Sequence, residues 1–160
     1  LEGLNKLKKA KNINKPLVLK ISPDIDDSEI SNIIEILIKY KINGVILSNT
    51  TDKNRKKLSD FNKHEFGGLS GPAIKPVALA KVFKIYNEVK IPIIGMGGIS
   101  KVSDIVEFLR VGSTMVQIGT VNYRDPSLIS KFYDGLLKFM NDNKVKNITD
   151  LIGNYKWLKI

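Results

Sequence analysis

The chain has 160 residues, of which 42% are hydrophobic, and its formal net charge is +10. This length suits one domain with a substantial core, and the absence of cysteine excludes disulfides and thiolate metal sites. His64 is the single histidine, so we expect no metal centre, and we expect no nucleic-acid role because the lysines are dispersed over predicted helix surfaces.

The opening residues have helical spacing, with Leu1, Leu4 and Leu7 on one side, and position 1 is not Met. We interpret the chain as a piece of a longer protein. No apolar run is long enough to span a membrane and no secretion signal opens the chain, which predicts a soluble, intracellular segment.

Strand and helix patterns then alternate along the chain. A first helix starts at Asp26, Asp27 and Ser28, which offer N-cap chemistry, and carries Ile30, Ile33, Ile34, Leu37 and Ile38 on one face. Predicted strands cover residues 17–21, 45–48, 91–95 and 115–118, and further helices cover residues 76–88, 102–109, 126–141 and 148–152. The polar stretch 52–65 has no periodic apolar face and predicts a long loop of the kind that is often functional.

About four β-then-α units follow from this alternation. Their strands are apolar nearly throughout, and such strands must be covered on both faces. We therefore predict an α/β fold, the C-terminal half of a (β/α)8 TIM barrel, over residues 1–160. An open, doubly wound sheet shares these strand patterns, and the motifs rather than the periodicity favour the barrel.

Lys20 lies within the first predicted strand. A buried lysine needs a partner, and a bound anion or an electron-rich ring would provide one. In the alternative interpretation, Lys20 faces the barrel mouth and extends its ammonium to water.

Polar residues end the second predicted strand. Ser48, Asn49, Thr50 and Thr51 stand at its carboxyl end, where barrel enzymes place their chemistry. The Asn49 amide can both donate and accept, so it can bind a cyclic imide edge. Alone, the same four residues are also a plausible turn or helix cap.

Glycines end the last two strands. Gly97 and Gly98 leave room for a ligand to approach the backbone, and Gly119 with Thr120 offers further N–H groups and a hydroxyl. Barrels bind phosphate with the loops after their last two strands, so the paired placement predicts a phosphate site. Any one of these glycines could instead serve an ordinary turn.

Several motifs in order resemble the C-terminal half of dihydroorotate dehydrogenase. They occupy residues 16–24, 44–51, 67–72 and 91–99, and the resemblance runs on to residues 146–153. It implies an FMN-dependent barrel enzyme that oxidises dihydroorotate to orotate in pyrimidine (UMP) biosynthesis.

The resemblance also implies roles for individual residues. Lys20 would lie by the flavin ring, Ser48 would touch FMN, and Asn49 with Thr50 would hold the substrate pyrimidine. The FMN phosphate and ribityl chain would be lined by Gly71, Gly97, Gly98, Gly119 and Thr120. The family's catalytic base, a Ser or Cys, is expected upstream, so no residue here is assigned that role, and we expect the isolated segment to be inactive and to bind FMN weakly.

The class within the family is mixed. Residues 22–24 and 48–51 resemble the membrane-associated, quinone-using class, whereas residues 71–76, 96–98 and 119–126 resemble the soluble class. We favour quinone as acceptor, with a location on the cytoplasmic side, either soluble or peripheral on the inner membrane through an N-terminal region. The alternatives are a tRNA dihydrouridine synthase-like flavin barrel, a flavin-free phosphate-binding barrel, and a non-catalytic remnant or partner-binding module.

Overall fold

Four short parallel strands form the sheet. The computed structural model describes residues 1–53 and 66–155, and in it the strands are β1 (Val18–Ile21), β2 (Gly44–Leu47), β3 (Ile93–Met96) and β4 (Met115–Gln117). Their spatial order is β1-β2-β3-β4, so each strand pairs with its successor in the chain. A doubly wound sheet reverses its strand order at a switch point, whereas an unbroken sequential order is that of a barrel arc.

Within the described residues, six helices connect and flank these strands. They are α1 (Glu2–Ala10), α2 (Asp27–Lys39), α3 (Lys75–Glu88), α4 (Val102–Arg110), α5 (Val121–Arg124) and α6 (Leu128–Asp142), with 3-10 turns at Pro72–Ile74 and Ile148–Leu151. The predicted strands and later helices are confirmed to within two residues at their ends, and the one-turn helix α5 was not predicted. Most of the predicted loop at 52–65, including His64, lies outside the described residues.

The start of α2 confirms the predicted cap. The Asp26 carboxylate accepts the Glu29 N–H at 2.9 Å, and the Glu29 carboxylate accepts the Asp26 N–H at 2.8 Å. The backbone hydrogen bond from Glu29 and the hydroxyl of Ser28 lower the pKa of Asp26. These bonds satisfy amide groups that the first helical turn leaves without partners.

The predicted apolar face of α2 is confirmed except at its edge. Ile30 and Leu37 are buried, and Ile33 and Ile34 pack against the core. Ile38 is 63% exposed, so its predicted burial is wrong. At 3.6 residues per turn, Ile38 lies about 80° around the helix from Ile30, beyond the arc that the sheet covers.

The two faces of the sheet have different environments. One face is buried under α3 and α4, where its residues Val45, Leu47 and Ile93 join a core with Val82 and Phe108. The other face, called the inner face below, leaves Val18 40% exposed and Met115 51% exposed. Coverage of every strand on both faces is expected of a closed barrel, whereas this arc of four strands leaves its inner face open. The inner face consists of Val18, Lys20, Ile46, Ile94, Met96, Met115 and Gln117.

None of the helices within residues 1–53 and 66–155 combines the length and apolar content needed to cross a membrane.

Candidate functional site

A cavity of about 220 Å³ opens at the carboxyl ends of β2, β3 and β4. We call it the site cavity. Eight of the nine residues predicted for the site line it, and they come from four separate loops. They are Ser48, Asn49, Thr50, Gly71, Gly97, Gly98, Gly119 and Thr120.

Lys20 is the predicted site residue that does not line the cavity. Its side chain is exposed, and the register places it in one row with Ile46, Ile94 and Met115. Of the two interpretations of Lys20, burial beside a partner and exposure of its ammonium, this arc of the barrel shows the exposed one, because its inner face is open. Burial in a closed barrel stays a prediction. Met96 and Gln117 continue the inner face into the cavity, so Lys20 and the cavity share one side of the sheet.

The loop after β2 is held by backbone hydrogen bonds to its neighbouring strands. The Ser48 N–H donates to the Met96 carbonyl at 2.7 Å, and the Asn49 N–H donates to the Ile21 carbonyl at 3.1 Å. Ser48 is 1% exposed, whereas the side chains of Asn49 and Thr50 are exposed at the cavity. The strands therefore fix the backbone and leave two polar side chains accessible to a ligand.

Just beyond, Thr51 pairs with Leu69 through two backbone hydrogen bonds of 3.1 and 2.7 Å. The Thr51 hydroxyl donates to the Asp24 carboxylate, which also accepts the Asp52 N–H at 2.9 Å. Thr51 thus anchors the loop and does not line the site cavity.

The loop after β3 contains two glycines in the left-handed region, Gly97 with φ 127° and Gly98 with φ 71°. A Cβ on Gly98 would lie 2.6 Å from the Gly71 carbonyl oxygen and 2.9 Å from the Lys75 Cβ. Gly98 is therefore required by the contact between two protein loops. From the sequence, we had interpreted this glycine as leaving space for a ligand beside the backbone. The structure adds a second reason, which is the close contact with Gly71 and Lys75.

An ion-pair cluster behind this loop was missed by the sequence analysis. Lys75 Nζ lies 2.7 Å from Asp104 Oδ1 and 2.8 Å from Glu107 Oε2. Asp104 is 1% exposed, and its other oxygen accepts the N–H groups of Ser100 at 2.8 Å and Lys101 at 3.1 Å. One carboxylate therefore ties the start of α3 to the loop that carries Gly98.

The charges in this cluster stabilise each other. Burial works against the charged form of Lys75, but hydrogen bonds to Asp104 and Glu107 outweigh it and raise the pKa of the ammonium. Burial also works against the Asp104 carboxylate, but hydrogen bonds from Lys75 and the Ser100 N–H lower the pKa of Asp104. Lys75 and Asp104 therefore each favour the charged form of the other.

The loop after β4 is more open. A Cβ on Gly119 would meet only the Met96 Cε, at 3.4 Å. The Thr120 hydroxyl donates to the Ser70 Oγ at 3.0 Å, which joins this loop to the loop before α3. In the described parts of the chain, the backbone N–H groups of Gly98, Gly119 and Thr120 donate to no protein acceptor.

The chemistry of the lining is that of an anion site. Hydroxyl, amide and backbone N–H donors surround the cavity, its described lining contains no Asp or Glu, and Arg124 brings a positive charge. Four polar lining residues were not among the predicted site residues. They are Ser70, Ser100, Gln117 and Arg124, and the alternation along β4 could have placed Gln117 on the inner face.

Residues 3–140 match the family model described as Dihydroorotate dehydrogenase. The chain belongs to the dihydroorotate dehydrogenase family. Its four βα units are accordingly part of a (β/α) barrel, and the predicted fold class is confirmed.

Curated dihydroorotate dehydrogenases of two classes resemble the chain to a similar degree. It is 40% identical over 146 residues to "Dihydroorotate dehydrogenase B (NAD(+)), catalytic subunit" of Parabacteroides distasonis, covering 87% of this chain and 46% of that protein. It is 41% identical over 142 residues to "Dihydroorotate dehydrogenase (quinone), mitochondrial" of Schizosaccharomyces pombe, covering 86% of this chain and 31% of that one.

Solved dihydroorotate dehydrogenase structures share the fold. The crystal structure of DHODH in complex with ferulenol from Eimeria tenella superposes with a TM-score of 0.81 at 32% identity, covering 87% of this chain and 38% of that chain. The chain thus spans about half, or less, of the length of the relatives it matches.

Proposed function

We propose that this chain supplies the cofactor-phosphate end and part of the substrate site of an FMN-dependent dihydroorotate dehydrogenase, which oxidises dihydroorotate to orotate in pyrimidine biosynthesis. One observation carries the proposal. Asn49 and Thr50, two polar side chains suited to a pyrimidine, open onto the same cavity as the amides of Gly98, Gly119 and Thr120. Membership of the family supports it.

The donor set fits the phosphate and ribityl chain of FMN. Three N–H groups that donate to no acceptor in residues 1–53 and 66–155 border the cavity, and the described lining has no carboxylate to repel an anion. Gly98, Gly119 and Thr120 would bind the phosphate, with Gly71 and Gly97 shaping the same wall and Ser48 touching the cofactor. Bound FMN would supply the hydride acceptor for the oxidation.

Lys20 would act beside the flavin ring. It lies on the inner face, on the same side of the sheet as Met96 and Gln117, which reach the cavity. In a closed barrel this face is interior, so its ammonium would be shielded from water. A positive charge there would stabilise the negative charge that a flavin gains on reduction.

Asn49 and Thr50 would orient the substrate. An amide side chain can donate to one edge of an imide and accept from the other, and the described chain gives the Asn49 amide no side-chain hydrogen bond that would have to be broken. We place the base that removes the substrate proton in the preceding half of the barrel. The 160-residue chain alone should therefore form no orotate and bind FMN weakly.

For the second half-reaction we propose quinone, since residues 48–51 at the substrate end have the pattern of the quinone-using class. Such an enzyme would work at the surface of the membrane that holds its quinone. NAD⁺ is the second candidate, favoured by relatives named as NAD(+) enzymes at 37 to 40% identity. Rapid mixing of the reduced enzyme with a soluble quinone or with NAD⁺ separates the two, because only the true acceptor reoxidises the flavin at a rate that supports turnover.

The primary test uses the longest polypeptide that the gene encodes. It should purify with a flavin absorbance spectrum, and anaerobic dihydroorotate should bleach that spectrum while one orotate forms per flavin. Asn49→Ala should raise the KM for dihydroorotate and leave the flavin content unchanged. A protein that neither contains nor binds FMN would refute the proposal.

A further inference from the structure

Arg124 is the one ionisable side chain among the residues that line the site cavity within the described chain. It follows Thr120 by four residues through the single turn of α5. Thr120 has helical backbone angles, φ −50° and ψ −38°, and its carbonyl accepts the Tyr123 N–H at 3.2 Å. Residues four apart in a helical turn lie on the same side, so Arg124 stands beside the Thr120 hydroxyl at the cavity rim.

The charge of Arg124 is not neutralised by the described protein. No described carboxylate lies within ion-pair distance of it. Its sequence neighbour Asp125 is engaged elsewhere, with its Oδ2 2.8 Å from Lys131 Nζ and its Oδ1 accepting the Ser127 hydroxyl. Those two hydrogen bonds lower the pKa of Asp125 to about 2. Among the described residues, the positive charge at this rim therefore has no ion-pair partner.

We propose that Arg124 binds the phosphate of the cofactor and makes the site select FMN over unphosphorylated riboflavin. This inference rests on the proposed function and adds to it a specificity-determining residue. A phosphate monoester carries about two negative charges near pH 7, and a guanidinium donates two parallel hydrogen bonds to such a group. Riboflavin ends in a hydroxyl at that point, so it gains nothing from the guanidinium.

The contribution of Arg124 is separable from that of the backbone amides. Amides of Gly98, Gly119 and Thr120 can hydrogen-bond a phosphate or a hydroxyl, whereas a full positive charge distinguishes the dianion from the neutral group. Arg124 is also exposed, and no described side chain packs on it through an ion pair or a ring contact. Its replacement should therefore alter ligand binding without disturbing the fold.

The experiment compares two ligands on four proteins. FMN and riboflavin are titrated into the longest native polypeptide and into its Arg124→Gln, Arg124→Lys and Lys138→Ala variants, with binding followed by flavin fluorescence. Arg124→Gln should raise the Kd for FMN about tenfold and shift that for riboflavin by less than about twofold. Arg124→Lys keeps the positive charge but loses the two parallel hydrogen bonds of the guanidinium, so its Kd for FMN should lie between those of the original protein and of Arg124→Gln. Lys138→Ala removes one exposed positive charge of α6 away from the cavity and should change neither Kd.

The outcomes of these titrations test the role of Arg124 separately from the proposed function. Equal losses for both flavins, or no loss of FMN affinity in Arg124→Gln, would overturn the role of Arg124 while leaving the proposed function in place. Failure of the unaltered protein to bind either flavin would overturn both. If Arg124→Gln does not fold, as judged by its circular dichroism, Arg124→Lys alone must weaken FMN selectively, and an unchanged ratio of the two Kd values would refute the inference.

Discussion

The loops after β3 and β4 each place a glycine at the same cavity, but for different reasons. A Cβ on Gly98 would clash with the Gly71 carbonyl at 2.6 Å, and the Gly98 backbone is left-handed. A Cβ on Gly119 would find only the Met96 Cε at 3.4 Å, and the Gly119 backbone is not left-handed. The fold therefore requires the first glycine and does not require the second. A glycine that the fold does not need, at a cavity lined with free amides, is the better marker of a ligand.

The largest effect expected from this comparison is on stability at Gly98. Gly98→Ala should lower the free energy of unfolding by about 4 kcal/mol, because it adds a backbone clash to the strain of a left-handed residue with a Cβ. Gly71→Ala is the matched control. Gly71 has φ 82° and ψ −165°, a conformation that costs a residue with a Cβ energy, but nothing lies within 4 Å of the new Cβ, so this variant should lose only about 2 kcal/mol. Urea unfolding measures both, and equal losses would show that the clash is relieved by small movements.

The next effect concerns the ion pair that holds the Gly98 loop. Asp104→Asn should cost about 3 kcal/mol at neutral pH, because it leaves the Lys75 ammonium with one partner and weakens the bonds to the Ser100 and Lys101 amides. Glu107→Gln, whose carboxylate is more exposed, should cost about 1 kcal/mol or less. Denaturant unfolding of both variants tests the ranking, and a reversed order would mean that Glu107 is the main partner.

The same pair has a pH signature. The pKa of Asp104 is lowered from its ordinary 3.8, so its stabilisation is complete above that value and is lost as the pH falls through the folded-state pKa. The difference in unfolding free energy between the original protein and Asp104→Asn should therefore be constant from about pH 7 to about pH 4 and should shrink as the pH falls from about 4 to about 2. A difference that stays constant over this range would contradict the charged pairing.

The loops around the site cavity also show which features could be predicted from the sequence. Strand ends that carry Asn49 and Thr120 lie far apart in the chain, yet parallel strands bring their carboxyl ends to one edge, so pattern alone was sufficient to place them together. The pairing of Lys75 with Asp104 was not predictable in this way, since it depends on how α3 and α4 pack. The choice between burial and exposure of Lys20 could not be made from the sequence, because an apolar strand pattern does not reveal which face lacks cover. Arg124 was missed because a four-residue helix leaves no periodic signal.

A smaller effect is expected at Gly119, on binding rather than on stability. Gly119→Ala should change the unfolding free energy by no more than about 0.5 kcal/mol, because its φ lies outside the left-handed region and its Cβ would meet only a flexible methionine terminus. Its methyl group would occupy space beside the free amides, so the Kd for FMN should rise about tenfold, which is about 1.4 kcal/mol. Flavin titration of this variant measures the Kd for FMN, and urea unfolding measures its free energy of unfolding. A stability loss as large as that of Gly98→Ala would erase the contrast between the loops.

The smallest effect on FMN affinity is expected for a change at Lys131. This residue does not line the site cavity, and it acts on the Arg124 charge only through the carboxylate of Asp125. Lys131→Ala removes the ammonium 2.8 Å from Asp125 Oδ2, so the pKa of Asp125 should rise from about 2 toward 3.8. At neutral pH the carboxylate remains ionised and keeps its hydrogen bonds from Ser127 but loses its ion-pair partner, so that its charge offsets the adjacent Arg124 charge. FMN affinity should then fall about twofold while riboflavin affinity is unchanged, since exposed charges interact weakly across solvent. Carbon-detected NMR titration of the Asp125 carboxyl reports the pKa, and a raised pKa with unaltered selectivity would place Arg124 out of reach of that carboxylate.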